Sequence, residues 1–417
     1  MNKIDSVKLD NGLTIYLYND NRRHSTFFNL VTLCGGYTKD FIVNNKEYHL
    51  QDGLAHVLEH YIVECNDKGN FLKELGESQM STNASTSTLM TSYYFETVEN
   101  VLFGVRTILE GVNNVKFDKD KLEKLKNPIF QEIRSKLDNK FYHLGRRRFN
   151  NLFKNIDFRD IGGLVDEVRD TTIDDLEVLY NYFYHPSNQF IVVAGNFDRD
   201  SVLYEIKDFY KDKKYKKINV KMINYNEDIS VNKKNDIIHF PTPEDYTELS
   251  FKIDISNYDP KYLLNLDFYI GCFFDNYFGI TSKLHKELIN KCIITDCINC
   301  SDNKIDKYLV INIGAFTSDS NKFKKYILDV INDNSLFSEE SFDLFKKNSY
   351  VSLILREENI FKVIFPFIDN VVYFNYPYMD TLDDFKEFTY NNYVDYISKL
   401  DFNNYISITI RNDKAVH

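Results

Sequence analysis

Alternating hydrophobic and polar positions predict short strands separated by helices in the first half of the chain. Residues 6–18 alternate around Asp10-Asn11-Gly12, a typical turn sequence of a β-hairpin. Apolar residues spaced three and four apart predict amphipathic helices elsewhere. Further strands are predicted at 26–34, 80–86, 92–97 and 190–195, and helices at 54–63, 69–75, 98–111, 119–137, 172–184 and 201–210.

The second half repeats this alternation. Strands are predicted at 249–255, 307–316 and 405–410, and helices at 262–278, 323–331 and 339–356. The order of elements resembles that of the first half, although no residue-level repeat is visible. The predicted fold class is therefore α+β, with two related domains, each a mainly antiparallel sheet with helices packed on one face. A lysine-rich run without apolar periodicity lies between the halves, so we predict domains 1–215 and 231–417 joined by a linker, 216–230.

One predicted helix, 119–137, contains Asn127-Pro128. An asparagine cap followed by proline at the first helical position is a common helix start. We therefore expect a kink or a break there, which would place Glu132 near a new helical start.

The predicted helix 54–63 carries His56-Val57-Leu58-Glu59-His60. In a helix, His56 and His60 lie on one face one turn apart, so both imidazoles can reach the same metal ion. Glu59 falls on the same side, where a carboxylate can accept a proton from water during metal-assisted hydrolysis. The neighbouring residues are mostly apolar, however, so the motif alone also permits two structural histidines on a buried helix.

Composition excludes several classes of protein. The 417 residues are 43% hydrophobic and 27% charged, as in ordinary globular proteins. A net charge of -11, spread along the chain, disfavours nucleic-acid binding because phosphates would be repelled. We expect no membrane span, since no apolar run approaches about 18 residues. We also expect no secretory signal, since no apolar core follows residues 1–5.

The cysteines indicate a reducing compartment. Six cysteines in a chain of this size without a visible signal are better explained as reduced thiols than as a disulfide framework. Cys297 and Cys300 form a single C-x-x-C, and with only Cys292 nearby we interpret them as packing residues rather than metal ligands. The expected location is the cytoplasm.

Several motifs of the first half occur in a characteristic order. They are Asp10-Asn11-Gly12-Leu13, Gly53 to His60, Asn83-Ala84-Ser85-Thr86, Gln131-Glu132-Ile133 and Tyr184-His185-Pro186-Ser187-Asn188. In this order they resemble the insulinase (pitrilysin) family of zinc peptidases, in the branch of the mitochondrial processing peptidase and short bacterial relatives. The second half resembles the family only in its pattern of elements.

The resemblance implies one zinc ion per chain. His56 and His60 would be ligands, with Glu59 as the catalytic base. The third ligand of the family is a glutamate that follows apolar residues on a separate helix, a position that Glu132 matches. Two histidines and one carboxylate leave a fourth position open, as catalytic zinc sites require. Glu64, four residues after His60, is the competing candidate for the third ligand.

The resemblance also implies a peptide-binding strand. Asn83, Ala84 and Ser85 would lie beside the metal on an edge strand that pairs with the backbone of an extended substrate. The alternative is an ordinary strand of the sheet.

Two departures from the family pattern affect the predicted site. Many relatives have an acid seven residues before the ligand glutamate, where this chain has Leu125; Glu123 either takes over that supporting role or the role is lost. Relatives that complete the site have a leucine-arginine pair with a tyrosine seven residues later in the second domain. Here the corresponding residues are Ile289 and Asp296, so the C-terminal domain lacks the Arg/Tyr pair.

These observations lead to one functional hypothesis and an alternative. The chain is predicted to be the metal-bearing subunit of a heterodimer, in which a second insulinase-like chain supplies the arginine and tyrosine, with a homodimer as the less favoured arrangement. The complex would be a zinc-dependent endopeptidase that hydrolyses peptides or small unfolded precursor proteins inside a chamber formed by two chains. The alternative is a non-catalytic or slow zinc-binding scaffold or peptide-binding subunit.

Overall fold

The computed structural model describes residues 4–65, 69–213, 215, 218–331, 333 and 338–412. The chain divides into two compact units, each of which is discontinuous in sequence. Unit 1 comprises Met1–Ser135, Arg159–Asn224 and Arg356–Met379, and unit 2 comprises Lys136–Phe158, Tyr225–Leu355 and Asp380–His417.

Strands and helices alternate along both halves, as the apolar periodicity predicts. The strands are β1 (Asp5–Lys8), β2 (Thr14–Asn19), β3 (Thr26–Thr32), β4 (Asp40–Val43), β5 (Lys46–His49), β6 (Ser81–Thr86), β7 (Thr91–Thr97), β8 (Gln189–Gly195), β9 (Val220–Met222), β10 (Asn235–Phe240), β11 (Tyr246–Asp254), β12 (Asn299–Ile305), β13 (Tyr308–Phe316) and β14 (Tyr405–Asn412). The helices are α1 (Leu54–Glu64), α2 (Phe71–Glu77), α3 (Val101–Asn113), α4 (Lys119–Leu137), α5 (Lys140–Leu152), α6 (Val165–Asp170), α7 (Ile173–Phe183), α8 (Arg199–Tyr210), α9 (Pro260–Phe278), α10 (Lys283–Asn290), α11 (Ser320–Ile331), α12 (Glu339–Arg356), α13 (Ile360–Phe374), α14 (Asp384–Glu387) and α15 (Tyr390–Ser398).

The main sheet of unit 1 has the strand order β1-β2-β8-β3-β7-β6. Strands β2 and β8 are parallel, whereas the other neighbouring strands are antiparallel. The central strands β3 and β8 are buried along their whole length. They are covered on both faces, because α3 packs against β3 and β7 while α13 packs against β8.

The sheet of unit 2 has the order β10-β14-β11-β13-β12. Strands β10 and β14 are parallel and the remaining pairs are antiparallel. This sequence of strand directions is that of β2-β8-β3-β7-β6 in unit 1. The predicted α+β class with two related, mainly antiparallel sheets is confirmed. The prediction that helices pack on one face only is wrong for unit 1, because α3 and α13 cover opposite faces of its sheet.

The compact units differ from the contiguous domains 1–215 and 231–417 that the sequence predicts. Helix α5, from the first half of the chain, packs its apolar residues on the sheet of unit 2. Helix α13, from the second half, packs its apolar face on the sheet of unit 1. Neither helix is among those that the sequence pattern predicts. Periodicity also identifies at most an apolar helix face and not the sheet that covers it, which is why sequence contiguity was a poor guide. Residues 214, 216 and 217, at the predicted boundary, lie outside the described residues.

Helix α4 continues from Lys119 to Leu137 with Pro128 inside it. The break that the sequence allowed at Asn127-Pro128 is therefore wrong. A proline inside a helix costs about 3 kcal/mol through a lost hydrogen bond and a steric clash. The buried apolar residues of this helix are Leu122, Leu125, Ile129 and Ile133. Each such side chain contributes about 1.5–3 kcal/mol on burial, so together they outweigh the cost of the proline.

The start of α1 is anchored by a glycine contact. Gly53, the residue before the helix, has φ +80°. A Cβ atom at this position would lie 2.7 Å from the Cα and N atoms of Gly163. The preceding residue, Asp52, is buried; its carboxylate accepts hydrogen bonds from Lys39 Nζ at 2.6 Å and from the Asp160 N–H at 3.0 Å. The entry to α1 is therefore held against the loop around Gly163.

We predict that Gly53→Ala lowers the free energy of unfolding by about 1–3 kcal/mol, because alanine is strained at positive φ and its methyl group would clash with Gly163. Urea denaturation followed by circular dichroism measures this loss. Gly76→Ala is the matched control, because a methyl group added to Gly76 in α2 would meet no neighbouring side chain within 4 Å among the described residues. A Gly53→Ala protein as stable as its parent would contradict the prediction.

Candidate metal centre and peptide-binding strand

Helix α1 presents two half-buried histidines from an otherwise buried helix. Eight of its eleven residues are buried, and the helix packs against β6, β7 and neighbouring helices. The imidazoles of His56 and His60 keep 20% and 18% of their side-chain surface exposed. The apolar residues around the motif therefore form the core contact, while the histidines occupy the margin of that core.

The two histidines meet Glu132 of α4. Their Nε2 atoms are 3.2 Å apart. The Oε2 atom of Glu132 lies 3.6 Å from His56 Nε2 and 3.7 Å from His60 Nε2. Within the described parts of the chain, these side chains form the one group whose potential ligand atoms all lie within 4.8 Å of one another.

The triangle formed by His56 Nε2, His60 Nε2 and Glu132 Oε2 fits a tetrahedral zinc ion. With zinc–ligand bonds of about 2.0–2.1 Å, two ligand atoms at tetrahedral positions are about 3.3–3.4 Å apart. The observed separations of 3.2, 3.6 and 3.7 Å bracket this value. Two imidazole nitrogens and one carboxylate oxygen are also the donor types that catalytic zinc sites use. The geometry and the chemistry of these donors therefore suit zinc.

Glu132 reaches the histidines from a separate helix. Ile129 and Ile133 are buried on the apolar side of α4, whereas Glu132 keeps 54% of its side-chain surface exposed. The helical spacing therefore directs its carboxylate away from the core. The sequence left Glu132 and Glu64 as rivals for the third position, and the structure brings Glu132 together with both Nε2 atoms.

Glu64 occupies a different place. Its Oε1 atom lies 3.2 Å from His60 Nδ1, the ring nitrogen on the other side of the imidazole from Nε2. Glu64 is exposed at the last position of α1 and does not belong to the group of converging ligand atoms found among the described residues. It is thus a neighbour of a potential ligand rather than a member of the triangle.

Glu59 is buried beside this triangle, with a relative exposure of 7%. The Thr86 hydroxyl donates a hydrogen bond of 2.6 Å to Glu59 Oε2. Burial raises the pKa of Glu59, an effect that the Thr86 hydrogen bond and the His60 charge oppose and the Glu132 charge reinforces. Such a carboxylate holds a proton more readily than a free glutamate does.

Thr86 is a site residue to which the sequence patterns assigned no role. It ends the Asn83-Ala84-Ser85-Thr86 motif, so the residue itself stood in a recognised segment. Burial alternates along β6, with Asn83 and Ser85 exposed and Thr86 half-buried. The period of two along a strand was the available signal that Thr86 and Ala84 share a face opposite to that of Asn83 and Ser85.

The predicted peptide-binding residues lie on an edge strand. Among the described strands, β6 pairs with β7 alone, and it ends the order of its sheet. Ala84 is half-buried, and its N–H donates to the Asn83 side chain at 2.9 Å. Asn83, Ala84 and Ser85 therefore stand on the outer strand next to α1.

Glu123 faces another partner. Its carboxylate accepts a hydrogen bond of 2.7 Å from Lys126 Nζ, and the same buried ammonium donates to the carbonyl of Arg169. This ion pair is the observed environment of Glu123, so the structure offers no support for its predicted role beside the metal.

The second unit carries the departures from the family pattern on its surface. Ile289 is exposed on α10, and Asp296 is exposed beyond the end of that helix. Cys292, Cys297 and Cys300 are free thiols, as are the three buried cysteines. In the described part of the chain, no helix combines the length and the hydrophobicity that crossing a bilayer requires.

Comparison with known families assigns two segments of the chain. Residues 45–156, which include the helices of the triangle, match the model described as insulinase (peptidase family M16). Residues 170–348 match the model described as peptidase M16 inactive domain. An uncharacterized zinc protease of Bacillus subtilis, YmfH, is 31% identical over 211 residues. That alignment covers 50% of this chain and 49% of the relative, so the match spans about half the length of the curated protein.

Solved structures share the fold over nearly the whole chain. A putative M16-like peptidase from Alicyclobacillus acidocaldarius superposes with a TM-score of 0.87 at 20% identity, covering 98% of each chain. The periplasmic protease PqqL from Escherichia coli superposes with a TM-score of 0.75 at 18% identity, covering 99% of this chain but 48% of that one. Because models of this family match both segments, the chain belongs to the insulinase family, peptidase family M16.

Proposed function

We propose that this chain is the metal-bearing subunit of a zinc-dependent endopeptidase that hydrolyses peptides or small unfolded precursor proteins. The observation that carries the proposal is the convergence of His56, His60 and Glu132, with the buried Glu59 beside them. The relatives named as zinc proteases support it. When bound, zinc would act as a Lewis acid that polarises both water and the peptide carbonyl.

Glu59 would move the proton. In peptide hydrolysis, the attacking water loses a proton as its oxygen bonds to the carbonyl carbon, and the amide nitrogen gains one as the C–N bond breaks. A single carboxylate can accept the first proton and deliver the second. The Thr86 hydrogen bond fixes the orientation of Glu59, and its raised pKa brings it closer to the range in which a group can both take and release a proton.

Strand β6 would hold the substrate. An extended peptide that pairs with its edge gains main-chain hydrogen bonds whatever its side chains are, which suits a peptidase of broad specificity. Asn83, Ala84 and Ser85 would contribute this edge, and Thr86 on the same strand would connect it to Glu59. The backbone of the bound peptide would thus be held at a fixed position relative to Glu59.

We predict opposite effects for two glutamine substitutions. Glu59→Gln should retain zinc while the rate of peptide cleavage falls by about 10²–10⁴, because the proton acceptor is lost. Glu132→Gln should lower the zinc content, because the charged ligand is lost. Zinc is measured by atomic emission after dialysis, and cleavage with a quenched fluorescent peptide, in whichever assembly makes the parent active.

Glu123→Gln is the matched control for both substitutions. It removes a carboxylate from the same helix as Glu132, but one that is engaged by Lys126, so zinc content and cleavage should match the parent. Cleavage by Glu59→Gln at the parental rate would refute the role of the base. Unchanged zinc in Glu132→Gln would refute the role of the ligand.

We further propose that the active assembly is a heterodimer with a second insulinase-like chain. Ile289 and Asp296 offer no cation and no phenol for the substrate carbonyl. This chain aligns with about half of PqqL, and the separate structure of the first half of PqqL is covered to 92%. A chain of this length therefore corresponds to one half of a longer relative, and a partner chain would supply the other. The free thiols favour a reducing compartment such as the cytoplasm.

We predict that the isolated chain cleaves peptides poorly and that an insulinase-like partner chain with the missing arginine and tyrosine restores the rate. Light scattering gives the mass of each assembly, and the same peptide assay gives its activity. A homodimer of this chain with full activity would overturn the heterodimer.

The rival function is a scaffold or peptide-binding subunit that keeps zinc but turns over slowly or not at all. The match of residues 170–348 to a domain described as inactive favours it. A scaffold, however, has no need of a buried carboxylate held beside the metal ligands. Equal and negligible cleavage by the parent and Glu59→Gln, with the partner chain present, would favour the scaffold.

A further inference from the structure

Glu64 stands directly behind one of the proposed ligands. His56, His60 and Glu64 follow one another at intervals of four residues along α1, so they lie in a row on one side of the helix. The Glu64 Oε1 atom is 3.2 Å from His60 Nδ1, and His60 Nε2 is 3.2 Å from His56 Nε2. The imidazole of His60 thus lies between a carboxylate and the point where the ligand atoms converge.

The position of Glu64 is unfavourable for the helix itself. It is the last residue of α1, and no basic residue occupies the last turn. A negative charge near a helix C-terminus costs about 0.3–1 kcal/mol at an exposed site, because it faces the negative end of the helix dipole. The helix dipole therefore gives no reason for a glutamate at this position.

We propose that Glu64 is a positioning residue that orients His60 and selects its tautomer, an inference that rests on the proposed zinc site. An ionised carboxylate can only accept a hydrogen bond, so the proton that it shares with His60 must be on Nδ1. The Nε2 atom then carries the lone pair that a metal requires. A carboxylate that holds a ligand histidine in this way also makes the imidazole a stronger donor.

The geometry distinguishes this supporting role of Glu64 from metal ligation and from the support that the sequence predicted for Glu123. Glu64 is outside the group of converging ligand atoms, whereas Glu132 is inside it, so Glu64 does not compete for the metal. Glu123, the sequence-based candidate for a supporting carboxylate, is engaged by Lys126 on α4. The supporting carboxylate is therefore supplied by the same helix that carries the histidine.

The experiment compares the zinc dissociation constants of Glu64→Leu, Glu64→Gln and the parent by competition with a chelator. Glu64→Leu should weaken zinc binding by about 10–100-fold, because the imidazole loses its orienting partner. Glu64→Gln should weaken it less, since the amide oxygen can still accept the Nδ1 hydrogen. Glu77→Gln is the matched control for loss of a negative charge, because Glu77 is exposed at the end of α2 and pairs with Lys73.

A second readout reports the tautomer without metal. In ¹⁵N spectra of the metal-free parent, at a pH where His60 is neutral, Nδ1 should carry the proton. In Glu64→Leu the proton should move to Nε2, the tautomer that a free histidine side chain prefers. The metal-free melting temperature of Glu64→Leu should not fall below that of the parent, because the substitution removes a charge that the helix C-terminus disfavours, whereas loss of a structural contact would lower it.

The outcomes distinguish this inference from the function on which it rests. A parent that fails to bind zinc would refute the proposed function. Zinc binding by the parent with an equal affinity in Glu64→Leu would refute the role of Glu64 alone. The role of Glu64 would also be refuted if the weaker zinc binding of Glu64→Leu came with a lower melting temperature of the metal-free protein. An unchanged His60 tautomer in Glu64→Leu would refute it as well.

Discussion

The burial of helix α1 against strand β6 is the interaction on which the candidate site depends. One hydrogen bond joins the two elements, and it runs from the Thr86 hydroxyl to the buried carboxylate of Glu59. A buried carboxylate is costly unless it is hydrogen-bonded, so this contact makes it possible for an acid to stand within the core. At the N-terminal end of α1, Gly53 can approach Gly163 because neither residue has a side chain. The contacts of Glu59 with Thr86 and of Gly53 with Gly163 therefore hold the helix that carries His56 and His60.

The charge around the site explains why the cluster suits a cation. Glu59, Glu64 and Glu132 all lie close to the imidazoles of His56 and His60, and the charge of Glu132 contributes to the raised pKa of Glu59. A divalent ion between the Nε2 atoms and Glu132 would offset this repulsion. The arrangement also assigns different tasks to chemically identical carboxylates. In the proposed site, the buried Glu59 would transfer the proton, Glu132 would bind the metal, and Glu64, in contact with His60 Nδ1, would orient the ligand histidine.

The two units have the same order of strand directions but different surface chemistry. Unit 1 carries the histidines and glutamates beside its edge strand β6, whereas the surface of unit 2 presents Ile289 and Asp296 at the positions where the family pattern has arginine and tyrosine. Each sheet is covered by a helix from the other half of the chain, α13 in unit 1 and α5 in unit 2. Neither half of the sequence therefore contains a complete hydrophobic core by itself.

Features that depend on local spacing could be predicted from the amino-acid sequence. The interval between His56 and His60 and the hairpin at Asp10-Asn11-Gly12 involve residues that are neighbours along the chain, and the structure reproduces both elements. The order of the motifs also indicated the correct family, and the order of predicted strands and helices indicated the correct α+β class.

Contacts between distant residues are decided by the folded chain. The family resemblance pointed to Glu132, but only the fold places its carboxylate beside both Nε2 atoms. The contact between Glu59 and Thr86, and the packing of α5 in unit 2 and of α13 in unit 1, were not predicted from the sequence. Folding also kept α4 continuous through Pro128, against a strong local signal. Periodicity defines which face of an element is apolar, but the partner that covers this face is selected by packing across the whole chain, and no local pattern encodes that choice.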